Sequence, residues 1–296
     1  MSAALSTISL ATATPGGGFP LYGQALAATV RAADPTLLIE PRHTRGSTEN
    51  VPLLRGRQVD LALVQGEVLQ AEVFSAPPGP DRPLILWAMY GSPGLFALRG
   101  DAPQRSIADL RGQRIAWGAR GSGLVLLARA VMGSLGLDLE RDFEAVFLDR
   151  AGDGPAMVLD GRAAALWGAG TGWPGFTAIA GGPAGARFIA PSPEEAARIV
   201  ARHAFLRPMS VPAGGYPGLT APVSSVGSWS FVMARADLSE GVAWRLARAL
   251  HLGEARFAAA LDQAGESTAR NTATAPPDPA LLHPGVRRYL AEAVGR

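Results

Sequence analysis

Three glycine-bearing turns in the first half of the sequence carry hydroxyl side chains and could bind a small anion. They are TATPGGG at residues 12–18, TRGSTEN at residues 44–50 and GARGSG at residues 118–123. Glycine lets a ligand approach the backbone closely, and serine and threonine hydroxyls add donors and acceptors. Each could also be an ordinary turn, but three of them in succession favour an interpretation as ligand-binding loops.

Arg120 is the charged residue best placed to select an anion. A guanidinium in a glycine-rich turn ahead of a helix can bind a carboxylate through two parallel hydrogen bonds. The alternative is a solvated surface arginine. Trp173 lies in a loop before Pro174 and is interpreted as a pocket wall, because aromatic residues on glycine-flexible backbone often line pockets; core packing is the alternative.

Motifs for catalysis and for cofactors are missing from the sequence. Without lysine there is no GxxxxGK[ST] loop, residues 118–123 do not continue as GxGxxG, and no GxSxG elbow occurs. Cysteine is absent, and the histidines are scattered without metal-ligand spacing. We therefore expect no catalytic residue, no cofactor and no metal site.

The composition is that of a folded protein with little net charge. Of 296 residues, 48% are hydrophobic and 18% charged, and the formal net charge is +2. No dense basic run supports nucleic-acid binding. No stretch approaches bilayer-spanning length, and residues 1–5 lack the features of a signal peptide, so the protein is either cytosolic or has lost its signal.

Apolar strand patterns alternate with helix patterns along the chain. Residues 207–222 are predicted to be irregular, and residues 239–261 to form one helix. Because the alternation occurs in two series, it predicts two α/β lobes with parallel sheets and ligands at the carboxyl ends of the strands. Strands are predicted at residues 5–11, 37–40, 61–64, 84–90, 95–98, 114–117, 144–148, 163–167, 187–190 and 226–234.

The order of these turns resembles the TAXI family of solute-binding subunits of TRAP transporters. The resemblance covers nearly the whole chain, and its segments are specific as a set. They are TATPGGGFPLYG at residues 12–23, TRGSTENVPLLRGRQVDLALVQGE at 44–67, DLRGQRIAWGARGSG at 109–123, VPAGGYPG at 211–218 and LLHPG at 281–285.

The resemblance implies a two-lobed periplasmic-binding-protein-like fold of type II, with a hinge and a ligand cleft between the lobes. Lobe I would comprise residues 1–97 and 222–296, and lobe II residues 98–221. The implied function is capture of a small anionic solute, such as glutamate or a 2-oxoacid, for a TRAP membrane permease. A periplasmic, monomeric, non-enzymatic protein is expected; a ligand sensor and a small-molecule enzyme on the same fold are the alternatives.

Matching the family position by position gives the candidate ligand-binding residues. Two departures bear on the identity of the ligand: residues 19–22 read FPLY where many members have a tyrosine pair, and Arg120 replaces a small or neutral residue. Together with Trp173, the candidates are Thr14, Gly17, Tyr22, Ser47, Asn50, Gln65, Arg120, Ser122, Gly123 and Tyr216.

The first prediction concerns Arg120. If its guanidinium binds the solute's carboxylate, Arg120→Ala removes a charged hydrogen bond contributing about 1.5–3 kcal/mol, and the affinity falls about tenfold or more. Titration calorimetry measures the change. An unaltered dissociation constant would refute the role.

Overall fold

A computed structural model describes residues 6–203 and 205–293, and the chain divides into two α/β units. Unit 1 comprises the chain up to Ala13, residues 19–90 and the chain from Trp229 onward. Unit 2 comprises Thr14–Gly18 and Gly91–Ser228. Residues 1–5, for which no signal peptide is predicted, lie outside the described residues, and they include the first residue of the strand predicted at 5–11. The sequence also predicts a helix at residues 284–294, and its last residue likewise lies outside the described residues.

The sheet of unit 1 has the strand order β2-β1-β3-β10, in which β1 pairs in parallel with β2 and β3, while β10 is antiparallel to β3. Its strands are rich in Leu, Ile and Val, and Leu61–Val64 is wholly buried, as expected for a sheet covered on both faces. The strands are β1 (Ser6–Ala11), β2 (Leu37–Arg42), β3 (Leu61–Val64) and the ends of β4 (Leu84–Arg99) and β10 (Val223–Ala234) that belong to this unit.

The helices of unit 1 follow the strands or form its C-terminal part. Several begin at a side-chain cap: Ser239 accepts a hydrogen bond from the Val242 amide, and Thr268 accepts one from the Asn271 amide. The helices are α1 (Gly18–Ala33), α2 (Ser47–Arg55), α3 (Gly66–Leu69), α8 (Glu240–Leu252), α9 (Glu254–Ala260), α10 (Ala269–Thr274) and α11 (Pro284–Ala293).

The sheet of unit 2 has the order β4-β7-β5-β6, with β5 parallel to β6 and β7, and β4 antiparallel to β7. Two further strands are antiparallel additions, β8 on β4 and β9 on β10. The elements are β5 (Arg114–Ala119), α4 (Gly123–Ser134), β6 (Glu144–Leu148), α5 (Gly154–Leu159), β7 (Ala165–Ala169), α6 (Pro174–Ala180), β8 (Ala186–Ile189), α7 (Pro193–Arg202) and β9 (Arg207–Val211).

Side chains that point alternately to the two faces of β4 contribute to two hydrophobic cores in unit 2. Phe96 and Leu98 contribute to one core, which also contains residues of α4 and α7, whereas Leu95 and Ala97 contribute to the other, which contains residues of α5 and α6. Successive side chains of a strand point to opposite faces of its sheet, so an uninterrupted apolar run can supply both cores.

Residues 84–90 and 95–98 form one continuous strand, not the two runs that the sequence predicts. The GSPG segment between them is buried in β4, where Gly94, like Gly227 on β10, allows close packing. A Cβ on Gly94 would lie 2.7 Å from the Trp167 ring, and one on Gly227 would lie 2.1 Å from the Ser92 carbonyl oxygen. Tertiary contact therefore overrides the turn signal.

Two other boundaries differ from the prediction. Part of the segment predicted to be irregular is β9, whose Pro208 is tolerated because the strand pairs only with β10 among the described strands. The helix predicted at residues 239–261 is interrupted at Gly253, between α8 and α9. A Cβ there would lie 2.3 Å from Cγ2 of Thr29, so the glycine permits close contact with α1.

His283 is a buried histidine in unit 1 whose surroundings fit the neutral imidazole. Its Nε2 donates to the Leu238 carbonyl oxygen at 2.9 Å, and its Nδ1 accepts from the Gly285 amide at 3.2 Å. Burial lowers the pKa of His283 below its usual value, and the charges of Glu240 and Arg287 act on it in opposite directions. Protonation would remove the acceptor that the Gly285 amide uses.

The second prediction follows from His283. Because its pKa is lower in the folded chain, the unfolded chain binds the proton first, and the free energy of unfolding falls as pH drops below about 6.5. The contribution of one such group is at most about 1.4 kcal/mol per pH unit. Urea unfolding between pH 8 and 5 measures it. His283→Gln should flatten the dependence of the unfolding free energy on pH, whereas the control His43→Gln, at an exposed position, should not. Equal slopes of unfolding free energy against pH in the wild type and both variants would contradict the assignment.

Candidate functional site

The loops that follow β1, β2 and β3 lie at one edge of the unit 1 sheet because these strands are parallel. Thr12 follows β1, Thr44 lies just beyond β2, and Gln65 follows β3. The Thr12 amide donates to the Arg42 carbonyl oxygen at 2.9 Å, which connects the first two loops. In sheets of this kind, the carboxyl ends of strands are where ligands bind.

Asn50 fixes the positions of these loops. Its fully buried amide donates to the carbonyl oxygens of Thr12 at 2.8 Å and Leu63 at 2.7 Å, and its Oδ1 accepts from the Thr44 hydroxyl at 2.7 Å. The predicted ligand-binding residue Asn50 is thus hydrogen-bonded to three parts of the unit 1 edge, and its side chain positions the backbone around it.

Ser47 and Gln65 are in direct contact at the same edge. The Ser47 hydroxyl accepts a hydrogen bond from the backbone N–H of Gln65 at 3.1 Å, which connects the start of α2 to the end of β3. The Gln65 side chain is 6% exposed, and its Nε2 has no hydrogen-bond partner among the described residues. Glu67, a buried acid two residues beyond Gln65, is not among the predicted site residues, although its position just after an apolar strand could have indicated it.

Tyr22 lies in the core of unit 1. Its hydroxyl is 2.6 Å from Oγ of Ser267, and its ring packs against Phe257 and Tyr90 with centroid separations of 4.9 and 5.7 Å. Burial raises the pKa of Tyr22 well above its ordinary value, so the hydroxyl stays protonated. The structure therefore gives this predicted site residue a packing role within the unit.

The unit 2 edge is built in the same way, since β5, β6 and β7 are parallel. The Thr14–Gly18 segment packs on the turn after β6: a Cβ on Gly16, which has φ +84°, would lie 2.6 Å from the Gly152 Cα. The Thr14 hydroxyl accepts a long hydrogen bond from the Ala151 amide at 3.4 Å, and the Gly17 amide donates to the Thr14 carbonyl oxygen at 3.3 Å.

Ser122 and Gly123 begin helix α4 at this edge. Ser122 occupies the N-cap position, yet its hydroxyl makes no capping hydrogen bond, and Oγ is buried without a partner among the described residues. Gly123 is buried as the first helical residue. The first turn of a helix has free amides and a partial positive charge, so this position can accommodate an anionic group.

Arg120 is exposed at the turn between β5 and α4. Its guanidinium carbon lies 4.9 Å from the centroid of the Phe147 ring, and that of Arg129 lies 5.7 Å from the same centroid. Arg120 forms no ion pair within the described part of the chain, whereas Arg129 pairs with Glu140. The aromatic contact positions a guanidinium whose N–H groups have no hydrogen-bond partner among the described residues.

Trp173 and Tyr216 are buried against each other in unit 2. The Trp173 amide donates to the Tyr216 hydroxyl at 3.1 Å, and that hydroxyl donates to the Gly170 carbonyl oxygen at 2.6 Å. The Trp173 ring packs on Phe176. Both residues were predicted to bind ligand, and the structure places them beneath the turn that follows β7.

The chemistry available at the two edges is hydrogen bonding by amides and hydroxyls and, at Arg120, by an exposed guanidinium that has no ion pair among the described residues. Within the described ranges, no group of three or more His, Cys, Asp or Glu residues could hold a metal ion. No described helix is both long and apolar enough to cross a membrane.

The third prediction tests the positioning role of Asn50. Asn50→Leu preserves volume but removes the two hydrogen bonds that the buried amide donates to the Thr12 and Leu63 carbonyl oxygens, so the free energy of unfolding should fall by about 3 kcal/mol. Urea unfolding measures the change. The control is Asn271→Ala, which removes a more exposed side-chain hydrogen bond to Glu266 and should cost less than about 1 kcal/mol. Equal losses in both variants would contradict the role.

Known structures share this fold across almost the whole chain. MatC from Rhodopseudomonas palustris, solved with bound malate, is 14% identical with a TM-score of 0.61, over 98% of this chain and 97% of its own. Periplasmic binding protein BugD is 14% identical with a TM-score of 0.59, over 97% and 94%. SsuA from Xanthomonas axonopodis pv. citri, an alkanesulfonate-binding protein bound to MOPS, is 17% identical with a TM-score of 0.51, over 98% and 85%.

These similarities confirm the predicted fold class, the two-lobed α/β fold of type II periplasmic binding proteins. The finer assignment to the TAXI family stays a prediction. A family model described as NMT1-like matches residues 10–293, and the chain therefore belongs to the NMT1-like family.

Proposed function

We propose that this protein is the solute-binding subunit of a transporter, and that it captures a small organic anion outside the cytoplasm without transforming it. The observation that carries the proposal is the pair of buried donors at the sheet edges, Nε2 of Gln65 and the Ser122 hydroxyl, which no described residue satisfies. Such a group costs about 1–3 kcal/mol when buried without a partner. A solute bound at either edge would supply a partner to the group there and recover that cost.

Three features favour an anion. Helix α4 presents its N-terminus beside Ser122, where partial positive charge accumulates. Arg120, close by in the chain, offers a guanidinium without an ion pair in the described structure, and a guanidinium binds carboxylates well. The relative MatC was solved with malate, a small dicarboxylate. A carboxylate-bearing solute such as malate, glutamate or a 2-oxoacid fits these groups.

The transporter is proposed to be a TRAP permease, because the sequence resembles the TAXI subunits of such systems. Delivery to a membrane permease requires a location outside the cytoplasm, where proteins with this fold such as BugD are found. The predicted ligand-binding residues remain part of the proposal, with Asn50 and Ser47 positioning loops and Gln65, Arg120, Ser122 and Gly123 contacting solute.

The fourth prediction tests the solute class. We expect at least one of three compounds, malate, 2-oxoglutarate and L-glutamate, to raise the unfolding temperature. A ligand that binds only the folded state stabilises it by about 2.7 kcal/mol at a hundredfold excess over its dissociation constant. Thermal unfolding is measured with each compound and with sodium chloride at equal ionic strength.

Dimethyl malate serves as the matched neutral control and should produce no shift. MOPS tests a sulfonate in place of a carboxylate. Shifts with dimethyl malate equal to those with malate would contradict the anion requirement, and a panel without any shift would contradict the proposed function.

A further inference from the structure

The turn after β7 carries hydrogen-bonding groups that unit 2 does not use. Thr171 and Gly172 are half-buried, and neither their amides nor the Thr171 hydroxyl has a partner among the described residues. The turn follows the carboxyl end of a strand parallel to β5, the edge at which Ser122 also lies. Free donors at this edge are placed where a ligand of such a sheet binds.

The Tyr216 hydroxyl is hydrogen-bonded to both ends of this turn. Its hydroxyl donates to the carbonyl oxygen of Gly170 and accepts from the amide of Trp173, at 2.6 and 3.1 Å. We call this arrangement the Tyr216 bridge. Because it joins the residue before Thr171 to the residue after Gly172, it limits the conformations of the two residues whose donors are free. Burial raises the pKa of Tyr216, so the hydroxyl keeps the proton that it donates.

The surroundings of the Tyr216 bridge leave it little freedom. Tyr216 is 2% exposed and stacks on Phe188 with ring centroids 5.0 Å apart. A Cβ on Gly168 or Gly175 would lie 2.5 or 2.6 Å from the Trp173 ring, so this ring is packed tightly against backbone. A close-packed support of this kind can keep a binding loop in one conformation before the ligand arrives.

We propose that the turn at residues 170–173 is a subsite for a carboxylate oxygen of the solute, bound by the donors of Thr171 and Gly172, and that Tyr216 is the positioning residue of this subsite. The inference rests on the proposed function and adds two contact residues that sequence analysis did not select. It also gives Tyr216 a different task from the one predicted: its hydroxyl shapes the subsite without touching the solute.

The test is a double-mutant cycle on the full chain. Thr171→Val removes the free hydroxyl at nearly constant shape, and Tyr216→Phe removes the bridging hydroxyl but keeps the ring. Titration calorimetry measures the dissociation constants of both variants, the double variant and the wild type. The probe is whichever of malate, 2-oxoglutarate and L-glutamate binds the wild type most tightly.

Each single variant should bind the probe about tenfold more weakly, as expected for one hydrogen bond to a charged group. If Tyr216 acts through this turn, the double variant should bind about as weakly as Tyr216→Phe, not about a hundredfold more weakly than wild type. Thr171→Val should leave the unfolding temperature unchanged, which separates a binding loss from a folding defect.

Tyr289→Phe is the matched control, because Tyr289 is also buried and its hydroxyl is hydrogen-bonded to His251 at 2.7 Å in unit 1. It should lower the unfolding temperature as Tyr216→Phe does, without changing affinity. Unchanged affinity in Thr171→Val and Tyr216→Phe would overturn the subsite, and additive losses would overturn the positioning role. A wild type that binds none of the three probes would overturn the proposed function as well, which distinguishes the two failures.

Discussion

Parallel pairing of neighbouring strands is the constraint on which the rest of this structure depends. Within each sheet it brings the carboxyl ends of three strands to one edge. Parallel strands cannot be joined by tight hairpins, so a loop and a helix must follow each strand. The polar loops of a sequence whose strands are apolar therefore collect at one edge in each unit.

The loops at such an edge expose backbone groups that need partners, and the two units meet this need differently. In unit 1 the Asn50 side chain forms hydrogen bonds with two loops, at Thr12 and Thr44, and with strand β3 at Leu63. In unit 2 a tyrosine hydroxyl from a distant segment joins the two ends of one turn. In both cases one buried polar side chain satisfies backbone atoms that the ladder cannot reach. Gln65, Ser122 and Thr171 carry groups with no hydrogen-bond partner among the described residues, and these are the groups that the proposal assigns to a solute.

The glycines show where reading a sequence locally fails. Gly16 lies in a turn, as the sequence predicts, and its positive φ fits that role. In the sequence Gly94 lies in an apparent break between two strands and Gly253 lies inside a predicted helix, yet each glycine is in close contact with a side chain from another element, Trp167 or Thr29. Such contacts join residues far apart in the chain, so no local pattern reports them. The same reason explains why Tyr22, selected as a site residue from the family resemblance, proves to be a core residue hydrogen-bonded to Ser267.

The sequence by itself determined the fold class, because apolar strands that alternate with helix patterns fit only a small set of α/β arrangements. It also located the junctions between strand and helix at residues 12–18, 44–50 and 118–123, since glycine interrupts both the strand pattern and the helix pattern. Only the tertiary structure decided which side chains of those turns keep free donors. Whether Asn50, Tyr216 or Ser122 has a partner depends on atoms contributed by distant segments, and hydrogen bonding in a buried site is settled by those atoms.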